Sequence, residues 1–177
     1  MKDDRRFVEW FGGLALSVWV GGLATVTLAA FTVFRTYAAD RKLAGGIVGA
    51  ILADFRRMEI ICAAAVLLGA MFLLSKPATG RDIARVVIAA LMAGLLTGYA
   101  LWIGPRLLEL RTHIANFNIP VASDPSPARR EFDVLHRLYS SLAGANLVLG
   151  VVLWSIWRRP TGECASLNPQ PSKEARP

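Results

Sequence analysis

A run of 20 residues without a charge, Leu138 to Trp157, lies between Arg137 and the pair Arg158-Arg159. At ~1.5 Å rise per residue, a helix of this length covers roughly the 30 Å hydrocarbon core of a bilayer. In hydrocarbon only a helix or a closed barrel satisfies every backbone group, so the run leaves few ways to fold. Trp154 and Trp157 beside the arginine pair suit the interface, where aromatic rings and snorkelling guanidiniums both sit. The charged turns from Arg129 to Arg137 extend the same helix out of the lipid.

One face of that helix is not built for lipid. His136, Ser140, Ala143, Asn146 and Gly150 recur at spacings of three and four and share one side. An amide at Asn146 is costly in hydrocarbon without partners, so this side is expected to face other helices. Ala143 and Gly150 let a neighbouring backbone come close.

Three more apolar runs precede it. Trp10 to Phe34 is 25 residues without a charge, too long for the apolar region of a cleaved leader, and reads as a retained first span with Gly21-Gly22 near its middle. Ile60 to Ser75 is a shorter second span. Val86 to Pro105 is the third, and its helical pattern continues past Arg106 toward His113. Between the first two spans, Leu43, Ile47, Ile51 and Phe55 recur every four residues among Arg41, Lys42, Asp54, Arg56 and Arg57. This pattern predicts a short amphipathic helix at the interface. Lys76 to Asp82 reads as a tight polar turn, and Asn118 to Pro127 as the second main loop. Thr161 to Pro177 is rich in proline, serine and charge and reads as a disordered tail.

The fold expected is therefore all-α: a four-transmembrane-helix bundle over residues 1–159 and a tail over 160–177. The chain is 54% hydrophobic, and its net charge of +7 sits at the ends of apolar runs. That distribution anchors a membrane protein and excludes nucleic-acid binding, which needs a basic face on a soluble segment. The partner expected is the lipid bilayer of a bacterial cytoplasmic membrane. Gly94 and Gly98 form a GxxxG pair that offers a homodimer face. The spacing of Cys62 and Cys164 offers neither a disulfide framework nor a metal motif.

Four stretches carry a family resemblance: Trp19-Val-Gly-Gly22, Ala44-Gly-Gly-Ile-Val-Gly-Ala50, Pro105 followed by Arg111, and Phe132-Asp-Val-Leu-His-Arg137. Together they resemble the domain of unknown function 4149, or transmembrane protein 205-like, family over roughly Phe7 to Arg159. The resemblance implies four membrane helices with no established biochemical activity. It also implies a distant similarity to the CopD and HemJ membrane proteins, and with it haem or a transition metal as an alternative to having no cofactor. Gly12 stands near the place where the HemJ pattern has a histidine, and the first span has no histidine at all.

The polar chemistry visible in the sequence gathers where the third helix leaves the lipid and the fourth enters. Glu109 and His113 are four apart; Asp133 and His136 are three apart, so each pair shares a helix face. With Arg111 and Arg137 close by, these residues read as an interfacial ion-pair network. The sharper alternative is a metal site of His136, His113, Glu109 and Asp133. Inside the membrane, Asn146, Gly22, Gly94, Gly98, Gly144 and Gly150 read as polar and packing positions. The sequence shows no nucleophile–base pair and no phosphate loop, so no catalytic residue is assigned. The function expected is a non-enzymatic, multi-pass membrane protein with a structural, transport-accessory or stress-tolerance role. The alternative is a haem- or metal-binding redox protein. Asn146→Leu is expected to perturb assembly less than His136→Ala or Arg111→Ala.

Overall fold

The computed structural model describes residues 2–75, 78–114, 116–119, 121–124 and 126–158. Arg159, the expected tail and the start of the Lys76–Asp82 turn (Lys76 and Pro77) lie outside the described residues. The described chain is helical: α1 (Lys2–Thr36), α2 (Arg41–Leu74), α3 (Gly80–Thr97), a π turn (Gly98–Ile103), α4 (Gly104–His113), a 3-10 turn (Val121–Ser123) and α5 (Pro127–Trp157). With α3, the π turn and α4 running on as one rod, four helices are long and apolar enough to cross a membrane. α1 packs on α2, α2 on α3, α3 on α5 and α5 back on α1, closing a ring around one apolar core.

The amphipathic segment expected between the first two spans is not a separate interfacial helix. It is the first half of α2, which is continuous from Arg41 to Leu74. The reason is visible in which residues are covered: Ala44, Val48, Phe55, Glu59, Cys62, Val66, Gly69 and Leu73 lie on one stripe at spacings of three, four and seven. No proline interrupts it, and Asp40 caps its start by accepting the Leu43 N–H at 2.9 Å. Leu43, the first residue of the four-residue pattern, is exposed, whereas Phe55 is in the core.

The π turn has a cause in Pro105. Proline has no N–H to give, and its ring clashes with the carbonyl four residues back, so the local ladder cannot stay α-helical. Gly104 N–H reaches Tyr99 O, five residues back, and the widened turn brings Tyr99, Ala100 and Ile103 into the core.

Close packing uses glycine where helices cross. Gly22 lies against the Phe55 ring, and Gly150 lies against Val20 and Met92. A Cβ on Gly94, Gly98 or Gly144 would meet no described atom within 4 Å, so these three face away from the other helices. On α1, Ser17, Thr25 and Thr27 each donate to the carbonyl four residues back at 2.8 Å, which satisfies hydroxyls set in an apolar helix.

Candidate functional site

A deeply covered polar cluster lies where the four spans meet. Glu59 on α2 is 3% exposed, and Asn146 on α5 is 0% exposed. Trp19 Nε1–H donates to Glu59 Oε1 at 3.2 Å, and the Tyr99 hydroxyl donates to the same oxygen at 2.7 Å. Asn146 Nδ2–H in turn donates to the Tyr99 oxygen at 3.2 Å. One carboxylate therefore ties α1, α2, the π turn and α5 together. Trp19, Tyr99 and Asn146 all belong to the uncharged runs, so Glu59 faces the apolar zone from the stripe of α2. Tyr139 meets Tyr99 edge-on at 5.2 Å, and Arg56 lies beside both Tyr139 and Glu59. Arg56 fits there because Gly104 has no side chain: a Cβ would come within 2.6 Å of Arg56 Nη2.

Two further polar groups hold the ends. On the face where the chain starts, Arg85 and Asp82 are each 1% exposed and paired at 3.1 Å. Arg5 reaches Asp82 at 3.4 Å, and Arg85 also lies 3.6 Å from Glu9. Arg85 Nη2 and Arg81 Nε donate to the carbonyls of Trp157 and Ile156, both at 3.1 Å, occupying the free acceptors that end α5. Trp157 Nε1–H donates to Glu9 O at 2.7 Å, with Arg85 over its ring.

On the opposite face, Arg111 donates to Gly45 O at 2.7 Å and Lys42 O at 2.6 Å. Gly45, Gly46 and Gly49 form the trough in which its guanidinium rests. Asn118 bridges the two loops there, donating to Ala39 O and accepting from Arg41 N–H.

The residues expected to form one interfacial network are divided among several partners. Arg111 goes to α2. Glu109 pairs with Arg106 at 2.8 Å, and Arg106 also pairs with Glu131 at 2.7 Å, all on the surface. Asp133 pairs with Arg137 on its own helix at 2.9 Å. His136 is exposed and stacks on Phe132, with ring centroids 5.8 Å apart. His113 is exposed and lines a shallow surface hollow of about 230 Å³ with Asp124 and Ser126. Among the described residues, no three His, Cys, Asp or Glu side chains are placed to share a metal ion. His113, His136, Glu109 and Asp133 do not assemble a ligand set in this arrangement.

Sequence reasoning gave Asn146 an inward position but missed the partner it serves. Glu59 falls just outside the expected second span, because the uncharged run begins at Ile60. The signal that could have found it was that run's own shortness: 16 residues is marginal for a span, and one more turn takes in Glu59. The Arg5–Glu9–Asp82–Arg85 group was also missed, since its members are far apart in sequence.

The fold and this site define a multi-pass helical membrane protein with one carboxylate buried where its four spans meet. The family described as "Domain of unknown function (DUF4149)" matches residues 14–116, and the chain belongs to it. The match includes Trp19, Glu59, Tyr99, Arg111 and the glycine trough, and stops short of the Phe132–Arg137 stretch. No curated protein and no solved structure matches the chain.

Proposed function

We propose that the protein is a non-enzymatic component of a bacterial-type cytoplasmic membrane with a structural or transport-accessory role, of the kind that supports stress tolerance. The observation behind this reading is the way the polar atoms are used. Glu59, Trp19, Tyr99 and Asn146 bond to one another across the helices, and Arg81, Arg85 and Arg111 bond to helix carbonyls. Side chains engaged in this way fix helix positions and present no activated nucleophile. Two hollows, of about 230 and about 250 Å³, lie at the periphery, the second an apolar cleft between Phe7, Phe11 and Leu68. An accessory protein works through its outer faces, and the unfilled side of α3 at Gly94 and Gly98 suits either a second copy or a larger membrane partner.

Gentle solubilisation from native membranes tests the reading. The chain is expected to co-purify in fixed ratio with a membrane transport protein, and recovery of the chain alone overturns the accessory role. A Soret band, or stoichiometric metal lost on His136→Ala or His113→Ala, would put the haem- or metal-binding alternative in its place.

A further inference from the structure

The hydrogen bonds around Glu59 run one way. Asn146 donates to Tyr99, Tyr99 donates to Glu59, and Trp19 donates to Glu59, so every proton in the chain points at the carboxylate. Both donations to the carboxylate fall on Oε1. Among the described residues no hydrogen bond is made to Oε2. Asn146 Oδ1, fully buried in the same cluster, has no partner either. The site thus holds one fully buried acceptor that lacks a donor, Asn146 Oδ1, beside a carboxylate that takes both its described hydrogen bonds on one oxygen. A charged carboxylate in a water-poor interior is costly, and a bound proton removes the charge and adds a donor to the cluster.

The surroundings say from which side a proton arrives. The groups with charge or titratable character that face Glu59 are Arg56 and Cys62 on its own helix, Tyr99 on the π turn and Tyr139 on α5. From α1 comes only Trp19. Arg56 and Tyr139 lie toward the face that carries the two larger loops. Toward the other face the site is closed by Leu16, Val66, Met92 and Leu153, all at 0% exposure. A polar track therefore leads in from the loop face and ends at Asn146.

We propose that Glu59 is a proton-binding site inside the membrane, loaded and unloaded from the loop face, whose charge sets how tightly the four spans are tied together. The step is simple acid–base exchange: a proton from water on the loop side bonds to Glu59 Oε2, and the carboxylate becomes a carboxylic acid. Neutral, Oε1 is a weaker acceptor, and the Trp19 and Tyr99 bonds loosen. A polar track closed at one end makes this a sensor of protons on one side, and leaves no route for moving them across. The inference goes beyond the accessory role and holds whether or not a partner is found.

pH-difference infrared spectroscopy on the full chain in liposomes tests it. Lowering the pH from about 8 to about 5 is expected to produce a carboxylic-acid carbonyl band in the wild type. The band should be lost in Glu59→Gln, a variant that keeps an oxygen acceptor for Trp19 and Tyr99. Acid applied to the loop face alone should raise the band, and acid on the other face alone should not. A Tyr99→Phe protein, which keeps Glu59, should shift the midpoint of the band's titration. Persistence of the band in Glu59→Gln, its absence from the wild type, equal response from both faces, or an unmoved midpoint in Tyr99→Phe would each overturn the proposal.

Discussion

The hydroxyl of Tyr99 stands 2.7 Å from Glu59 Oε1, joining the π turn of the third span to the stripe of the second. Tyr99 lies in the π turn just before Pro105, where Gly104 N–H bonds to Tyr99 O and the Tyr99 side chain is buried. Removing only the hydroxyl, in Tyr99→Phe, leaves Glu59 with one donor and Asn146 Nδ2 with no acceptor. The cost expected is about 2 kcal/mol, or a melting point in detergent lower by roughly 4–8 °C for a chain of this size. Tyr37→Phe, at an exposed position, should leave the melting point unchanged.

Arg111 is the clamp between α4 and the start of α2. Arg111→Ala frees the carbonyls of Lys42 and Gly45 and empties the glycine trough. A loss of about 2–3 kcal/mol is expected, with faster hydrogen exchange confined to the first turns of α2. Exchange that rises evenly along α2 would contradict a local clamp. Arg111→Lys should recover little of the loss, because an ammonium cannot reproduce the planar fork that reaches two carbonyls.

Glycines on opposite faces should respond differently to the same change. Gly150→Val places methyl groups where Val20 and Met92 already sit, and should lower the melting point by several degrees. Gly94→Val and Gly98→Val meet open space and should leave the melting point of a single copy unaltered. If the pair forms a homodimer face, the double variant abolishes the dimer seen by cross-linking without this thermal cost.

Asn146 and His136 lie on the same helix but have different surroundings. Asn146→Leu deletes the donor to Tyr99 from a site with no exposure, whereas His136→Ala removes an exposed ring that stacks on Phe132. Melting curves should rank Asn146→Leu as the more damaging, the reverse of the order expected from sequence. The order expected from sequence assumes an ionic network around His136, where Asp133 does pair with Arg137 but Arg111 and Glu109 bond elsewhere.

How much the sequence revealed depended on distance along the chain. The four spans were legible because an uncharged run is a local property, and Asn146 was legible because a lone amide in such a run must face inward. The partition of α2 was misjudged because a run of charges at Asp54, Arg56 and Arg57 looks like a surface. On the helix, Asp54 and Arg57 share turns with Phe55 and Glu59, which point the other way, and Arg56 lies beside Glu59. Asp82 closes the expected polar turn and Arg85 precedes the third uncharged run, and neither position shows its partners: Arg5, Glu9 and the end of α5 come from other spans. Which carbonyl Arg111 would find was not legible at all, since it depends on how α4 lies across α2.

Trp157 has its indole N–H bonded to Glu9, its ring beneath Arg85 and its edge against Gly12 and Gly13. An indole pinned from three sides cannot slide along the helix axis, so α5 has no piston stroke available at that end. Rearrangement among the spans must then pivot about Trp157, with displacement growing toward the loops, and a distance probe placed there would see the largest swing.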